Sequence, residues 1–328
     1  MSGKNGSRSL RVLASTGLVL ILLGSSQAAH HPSTSDVSTH HIHTVFVILM
    51  ENHNWTGDGK FNIKGNPAAP YINKTLLPMA SHAENYSNPP ANHPSLPNYL
   101  WLVGGTNFGI QDDNPPSINH LSSHATLMNQ LDGAGFTWKS YDENISGKVC
   151  PLTDSGPLDA DGAHIYGVRH NPFVYFDDVT DNNDPQSANC IAHVRPYIEL
   201  KNDLATNSVA NYNFITPNVC DDMHDNCAGD PIAHGDAWLA KNVPEILNSF
   251  AYQNGGALFI VWDEADNGDG PSGMIVLSPF AKGHGFSDQN LYTHGSTLRT
   301  VEEIFGVRPF LGDAAREQDL SNLFTVFP

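Results

Sequence analysis

The sequence predicts a single α/β domain whose central sheet is mainly parallel and covered by helices on both faces, and three observations carry that prediction. Runs of strand length alternate with amphipathic runs of helix length between residues 44 and 306. The run VFVILM (45–50) is apolar throughout, as expected of a strand buried on both faces. No Pro/Ser linker, internal repeat or low-complexity block divides the chain after its first 43 residues.

Taken in order, residues 1–28 read as a secretory signal. Lys4, Arg8 and Arg11 form a basic n-region, VLASTGLVLILLG is the apolar core, and Ser26 and Ala28 supply small residues for cleavage. The apolar run falls short of the roughly 20 residues a membrane anchor needs. Secretion to an extracellular or periplasmic location, with cleavage near Ala28, is the expectation. Residues 29–43, rich in Ser and Thr with His30, His31, His40, His41 and His43, are expected to form a flexible arm. The folded domain is then 44–328.

Within it, TVFVILM (44–50), FTWKSY (136–141), YNFIT (212–216), ALFIVWD (257–263) and GMIVLS (273–278) have strand character. Helices are expected over ATLMNQLDGAG (125–135), VRPYIELKNDLA (194–205), GDAWLAKNVPEILNSFAY (235–252) and STLRTVEEIFG (296–306), the last ended by Gly306. In such folds ligands gather at the carboxyl ends of the strands.

Charge narrows the function. Without residues 1–28 the chain carries 13 basic and 34 acidic residues, a formal charge of −21. That surface repels nucleic acid and anionic membranes, so no nucleic acid and no stable membrane partner are expected. An anionic substrate would need concentrated local positive charge from a metal, histidines or helix N-termini. All 17 histidines lie beyond the signal, and their protonation below about pH 6.5 would offset much of the acidity. Four cysteines in an exported chain imply two disulfides. Of the three possible pairings, the local ones, Cys150–Cys190 and Cys220–Cys227, are expected.

Two strands end alike, one on Glu51-Asn52 and one on Asp263-Glu264. If they are parallel neighbours, three carboxylates and an amide meet at one edge, where mutual repulsion demands a cation. Glu51, Asn52, Asp263 and Glu264 are therefore candidate ligands for one divalent metal ion. In NHPSLPNYLWLVGG (92–105), Ser95 occupies an N-cap-like position before a helical run. The same geometry would put its hydroxyl beside helix N–H groups that can hold a phosphate. The segments TPNVCDDMHDNC (216–227), YGVRHNPFVYF (166–176) and LYTHGSTLRT (291–300) each offer a loop histidine, namely His224, His170 and His294.

In this order, ENH, HPSLPNY, YGVRHNPFVYF, PN-C-DMHD, VWDEAD and YTHGSTLRT-EE-FG resemble the secreted acid phosphatase and phospholipase C-like phosphoesterase family of the alkaline phosphatase superfamily. The resemblance implies that 44–328 is a phosphoesterase domain with an alkaline phosphatase-like fold. It implies Ser95 as nucleophile, with Glu51, Asn52, Asp263 and Glu264 as metal ligands. His224, His294 and His170 would be catalytic, and His93, Asn218 and Asp222 would bind substrate. The implied reaction is hydrolysis of phosphate monoesters through a phosphoserine, with His224 or His294 protonating the leaving alcohol. The substrate would be a phosphorylated small molecule or a phospholipid head group. ENHNW stands where larger phospholipase C members carry ENR-S-F-D, which favours the phosphatase branch over a phosphodiesterase or phospholipase C. A secreted phosphate- or metal-binding protein without turnover is the other alternative. Asn218 stands where superfamily diesterases hold a second zinc with an aspartate, so a single ion is expected, with His224 and His294 left to move protons.

Overall fold

The seven residues of β1 (Thr44–Met50) begin the sheet, and Val45 to Met50 are each no more than 1% exposed. Their side chains alternate between two apolar layers. Val45, Val47 and Leu49 join one core, while Phe46, Ile48 and Met50 join the other. The computed structural model describes residues 40–57, 61–266, 268 and 270–328. All belong to the unit Ser35–Pro328. The signal and nearly all of the histidine-rich arm lie outside the described residues.

The remaining strands are β2 (Ser81–Ser87), β3 (Trp138–Asp142), β4 (Ser155–Leu158), β5 (His164–Tyr166), β6 (Val194–Pro196), β7 (Tyr212–Thr216), β8 (Gly256–Trp262), β9 (Met274–Leu277) and β10 (Phe286–Thr293). Eight of them form one sheet in the order β10-β2-β9-β8-β1-β7-β3-β6, and β4 and β5 form a separate hairpin. β1 lies between β7 and β8 and is parallel to both; β3 is parallel to β7 and β6, and β10 to β2. β9 alone runs against its neighbours β8 and β2. The sheet is thus mainly parallel, as the α/β reading of the sequence expected. Helices cover both faces. Ser95–Gly104, Leu127–Ala134 and His294–Phe305 pack on one layer, and Ile198–Ala205 and Pro231–Leu247 on the other.

Each of the five expected strands forms, with ends shifted by at most two residues. Two of the eight sheet strands carried no hydrophobic signal. β2, SHAENYS, is polar, yet its first three residues are buried, and Ser81 donates its hydroxyl to the Leu323 carbonyl. β10 is an edge strand with several exposed positions, so it lacks a continuous apolar run. The segment expected as a helix from 194 divides. Val194–Pro196 pairs with β3, and the helix starts at Ile198, after the proline that cannot supply a helical N–H. The helix expected from 235 starts at Pro231, where Asp230 accepts the N–H of Ile232. Both expected disulfides form, Cys150–Cys190 and Cys220–Cys227.

Candidate active site

Register builds the site. Met50 of β1 lies opposite Trp262 of β8, so the next residues, Glu51 and Asp263, emerge together at the carboxyl edge of the sheet. Two hydrogen bonds lock them there: Asp263 N–H to the Met50 carbonyl at 2.9 Å, and Asn52 N–H to Asp263 Oδ1 at 3.0 Å. Asn52 takes a left-handed conformation, φ 47°, which asparagine tolerates better than most residues. Glu51 N–H is held by the Asp222 carbonyl at 2.8 Å.

Glu51 and Asp263 are fully buried and Glu264 nearly so. Burial, reinforced by Asp263 and Asp222, pushes the Glu51 carboxyl well above the usual range. Burial raises Asp263 to about 6, and burial with the neighbouring Asp263 raises Glu264 to about 8. Three buried oxygens, Glu51 Oε1, Asn52 Oδ1 and Asp263 Oδ2, have no hydrogen-bond donor among the described residues. Unsatisfied buried oxygens are costly, and a set of hard oxygen donors matches a divalent cation. Glu264 spends Oε2 on His93 Nδ1 at 2.6 Å and Asn98 Nδ2 at 2.9 Å, so Oε1 is the atom it could offer a metal. His93 is therefore tied to Glu264 on the rim of the carboxylate cluster.

Ser95 is 2% exposed and donates its hydroxyl to Glu51 Oε2 at 3.0 Å. The N-cap expectation is corrected. Ser95 is the first residue of the helix, and Pro94 precedes it as the cap residue, which has no side-chain acceptor to offer. The helix terminus is also partly taken, because Leu96 N–H is bound by Asp113 Oδ1 at 2.9 Å and Pro97 has no N–H.

His170 is 1% exposed and stacks on Tyr99, with ring centroids 5.1 Å apart and planes 4° from parallel. Its Nδ1 meets Asp222 Oδ2 at 3.1 Å, and its Nε2 lies 3.2 Å from Glu51 Oε1 without hydrogen-bond alignment. Burial, with Arg169 and His224 nearby, depresses its pKa well below the ordinary value, so the ring is neutral. With the proton on Nδ1 toward Asp222, a bare Nε2 lone pair faces the carboxylate. A ring nitrogen of His224 comes within 4.8 Å of the ligand atoms of Glu51 and His170, making these three a further group able to hold a metal. His224 Nδ1 is paired with Asp225 Oδ1 at 2.6 Å.

Three of the expected site residues are already engaged by other groups of the protein. His294 is fully buried, with Nδ1 on the Tyr86 hydroxyl at 2.9 Å and Nε2 on the Asp263 carbonyl, and burial lowers its pKa to about 4. It sits behind the carboxylates, as a brace for the Asp263 backbone. Asp222 is equally buried, and its two oxygens hold His224 N–H at 2.8 Å and His170 Nδ1, so it positions both histidines. Asn218 receives Cys220 N–H and Asp221 N–H on Oδ1 and gives Nδ2 to Glu143 Oε2 at 2.8 Å. Its amide thereby braces the loop. In the same loop Met223 adopts φ 84° and the Cys220–Cys227 bond closes the turn.

Arg169 is the residue that sequence reading left out, although its motif had been singled out. Burial opposes its charge, and the fields of Glu51, Asp113 and Asp222 more than offset that, so its pKa is raised. The available signal was the sole basic side chain between Lys148 and Arg195, directly beside His170.

A serine hydroxyl is thus directed at buried carboxylates at the carboxyl edge of a mainly parallel eight-stranded sheet. Solved structures share the fold. Human ectonucleotide pyrophosphatase/phosphodiesterase 5 aligns with a TM-score of 0.53 at 10% identity, over 86% of this chain and 100% of that one. The lipoteichoic acid synthase LtaP of Listeria monocytogenes aligns with a TM-score of 0.51 at 9% identity, over 87% and 81%. The Phosphoesterase family model matches residues 84–269, more than half of the sequence, and the chain belongs to that family. Among its relatives, a phosphatidylinositol-3-phosphatase of Mycobacterium tuberculosis is 28% identical over 283 residues, 85% of this chain and 82% of its own. An acid phosphatase of Aspergillus fumigatus is 28% identical over 229 residues, 67% of this chain. The match covers only 47% of that fungal protein, so the chain spans about half the length of its fungal relative.

Proposed function

We propose that this protein is an exported, metal-dependent acid phosphatase that hydrolyses phosphate monoesters through a phosphoserine formed at Ser95. The observation that carries the reading is the Ser95 hydroxyl, directed at Glu51 within a cluster of buried oxygens that lack donors. Glu51, Asn52, Asp263 and Glu264 would hold one divalent ion. Once bound, the ion supplies Lewis-acid stabilisation of phosphoryl oxygens and lowers the pKa of a nearby hydroxyl.

The side chains do the rest. Ser95 Oγ passes its proton to Glu51 Oε2 and attacks phosphorus as the ester bond to the leaving alcohol breaks. His224, oriented by Asp225, donates a proton to the departing oxygen. His170 stays neutral, held by Asp222 and stacked on Tyr99, with its Nε2 lone pair facing the Glu51 side of the cluster. Water then attacks the phosphoserine, its proton passes to His224, and Ser95 leaves, taking its own proton back from Glu51. The substrate is a phosphorylated small molecule or a phospholipid head group. The acid phosphatase and phosphatidylinositol-3-phosphatase relatives support a phosphoester substrate, and two disulfides suit an oxidising compartment.

Ser95→Ala tests this. Because Ser95 caps nothing, the variant should unfold within about 1 kcal/mol of the natural protein. Its turnover of p-nitrophenyl phosphate should vanish. A variant keeping more than about a hundredth of the natural rate would remove Ser95 as nucleophile.

A further inference from the structure

Two buried acceptor atoms face each other beside the carboxylate cluster. His170 Nε2 and Glu51 Oε1 lie 3.2 Å apart, with their side chains 2% and 0% exposed, and neither atom has a hydrogen bond among the described residues. His170 Nδ1 meets Asp222 Oδ2 at 3.1 Å, which keeps the ring proton on Nδ1 and leaves Nε2 as a lone pair. His224 is the third member, with a ring nitrogen within 4.8 Å of both atoms. Its Nδ1 is paired with Asp225 Oδ1 at 2.6 Å, so Nε2 is the nitrogen it can offer. Each imidazole is thus backed by a carboxylate on its far nitrogen, the arrangement that fixes the tautomer and raises the basicity of metal-binding histidines. A tetrahedral ion with bonds of about 2.0 Å sets its ligands about 3.3 Å apart, close to the 3.2 Å seen here.

We propose that Glu51, His170 and His224 form a second, inhibitory metal site, selective for borderline-soft ions such as Zn²⁺ and Cu²⁺, whose occupation switches the enzyme off.

The switch rests on the phosphatase reading, whereas the site rests on its donor atoms alone. Two imidazoles and one carboxylate differ in kind from the all-oxygen set of Glu51, Asn52, Asp263 and Glu264. Imidazole nitrogen favours Zn²⁺ and Cu²⁺, while carboxylate and amide oxygens suit Mg²⁺, Ca²⁺ or Mn²⁺. The set is also not the one formed by Asn218, His224 and His294, because Glu143 engages Asn218, and Tyr86 and the Asp263 carbonyl engage His294. Charge allows the second ion. Glu51, Asp222, Asp263 and Glu264 gather four buried carboxyl groups against one divalent cation. The His224 side chain is 26% exposed, which leaves an entry path on that side. An ion held there occupies the nitrogen from which His224 protonates the leaving alcohol. Because Glu51 belongs to both sets, the same ion also draws on the carboxylate that receives the Ser95 proton.

The test uses the full mature chain holding its tightly bound ion, with Zn²⁺ and Cu²⁺ as probes. One further equivalent of Zn²⁺ should lower turnover of p-nitrophenyl phosphate on the order of 100-fold, the size of a lost general acid, while elemental analysis finds the first ion still bound. Mg²⁺ at the same excess should leave the rate unchanged. One equivalent of Cu²⁺ should give an electron paramagnetic resonance spectrum split by two imidazole nitrogens, a readout that needs neither turnover nor a variant. His224→Gln, on a partly exposed loop, and His170→Gln should each remove one nitrogen from that spectrum or abolish the bound copper. Inhibition that comes with loss of the first ion would overturn the proposal, because zinc would then be exchanging into the oxygen set. A spectrum without nitrogen splitting would overturn it too, and so would one unchanged in both variants, which assigns the copper to other histidines. A natural protein without monoester turnover would defeat the phosphatase reading and the switch with it, and the copper spectra would still uphold or overturn the site.

Discussion

Asp142→Asn should make the protein more stable above neutral pH. Asp142 ends β3, is fully buried, and has one donor, the Ser140 hydroxyl at 2.7 Å on Oδ2; its Oδ1 has none. Burial, opposed by that one hydrogen bond, raises its carboxyl from 3.8 to about 7. The folded state therefore keeps a proton that the unfolded chain has released. Between those two values the native state binds more protons, so stability falls as pH rises, at about 1.4 kcal/mol per unit. Over a window of about 3 units the loss is roughly 4 kcal/mol, complete above the folded pKa and relieved as pH drops toward the unfolded one. About 3 kcal/mol of it falls between pH 5 and pH 8. Asparagine keeps the shape and carries no charge. Urea unfolding of both proteins at pH 5 and pH 8, with metal removed by chelator, measures the effect. The advantage of the variant should grow by roughly 3 kcal/mol between the two conditions. If it is the same at both, Asp142 is ionised in the fold and the burial argument fails.

Asp263→Ala should lower bound divalent metal and phosphatase activity together, because Asp263 Oδ2 is one of the buried oxygens without a donor. Elemental analysis finding full metal in an inactive variant would contradict the ligand assignment. Replacing Cys220 and Cys227 by serine opens a loop of sequence separation 7, for which chain entropy assigns roughly 2–3 kcal/mol. Activity should fall further than stability, since that loop aims Asp222 and His224. Kinetics in parallel with thermal unfolding would show otherwise if both changed little.

The sequence by itself determined the sheet's centre, the residues at its tips and the disulfides. An unbroken apolar run such as VFVILM is stable only when covered on both faces, which is how β1 came to lie between β7 and β8. Burying the run fixes where it ends, so Glu51 and Asp263 had to meet once the two strands were parallel neighbours. Local pattern could go no further, because a polar side chain's role depends on partners distant in sequence. Ser95 finds Glu51 44 residues away, and Asn218 spends its amide on Glu143, 75 residues away. His294 turned inward because it starts a helix packed behind Asp263, and β2 became a strand because pairing with β9 and β10 orders a polar stretch. Arg169 shows the same limit from the other side. A basic residue in an acidic chain ordinarily pairs with a neighbour, and only the tertiary structure decided that its guanidinium lines a cavity, with the Asp113 and Asp154 side chains already engaged by backbone N–H groups. Hydrophobic burial is summed over a segment and is legible in it, whereas hydrogen bonding and charge are settled pair by pair across the fold.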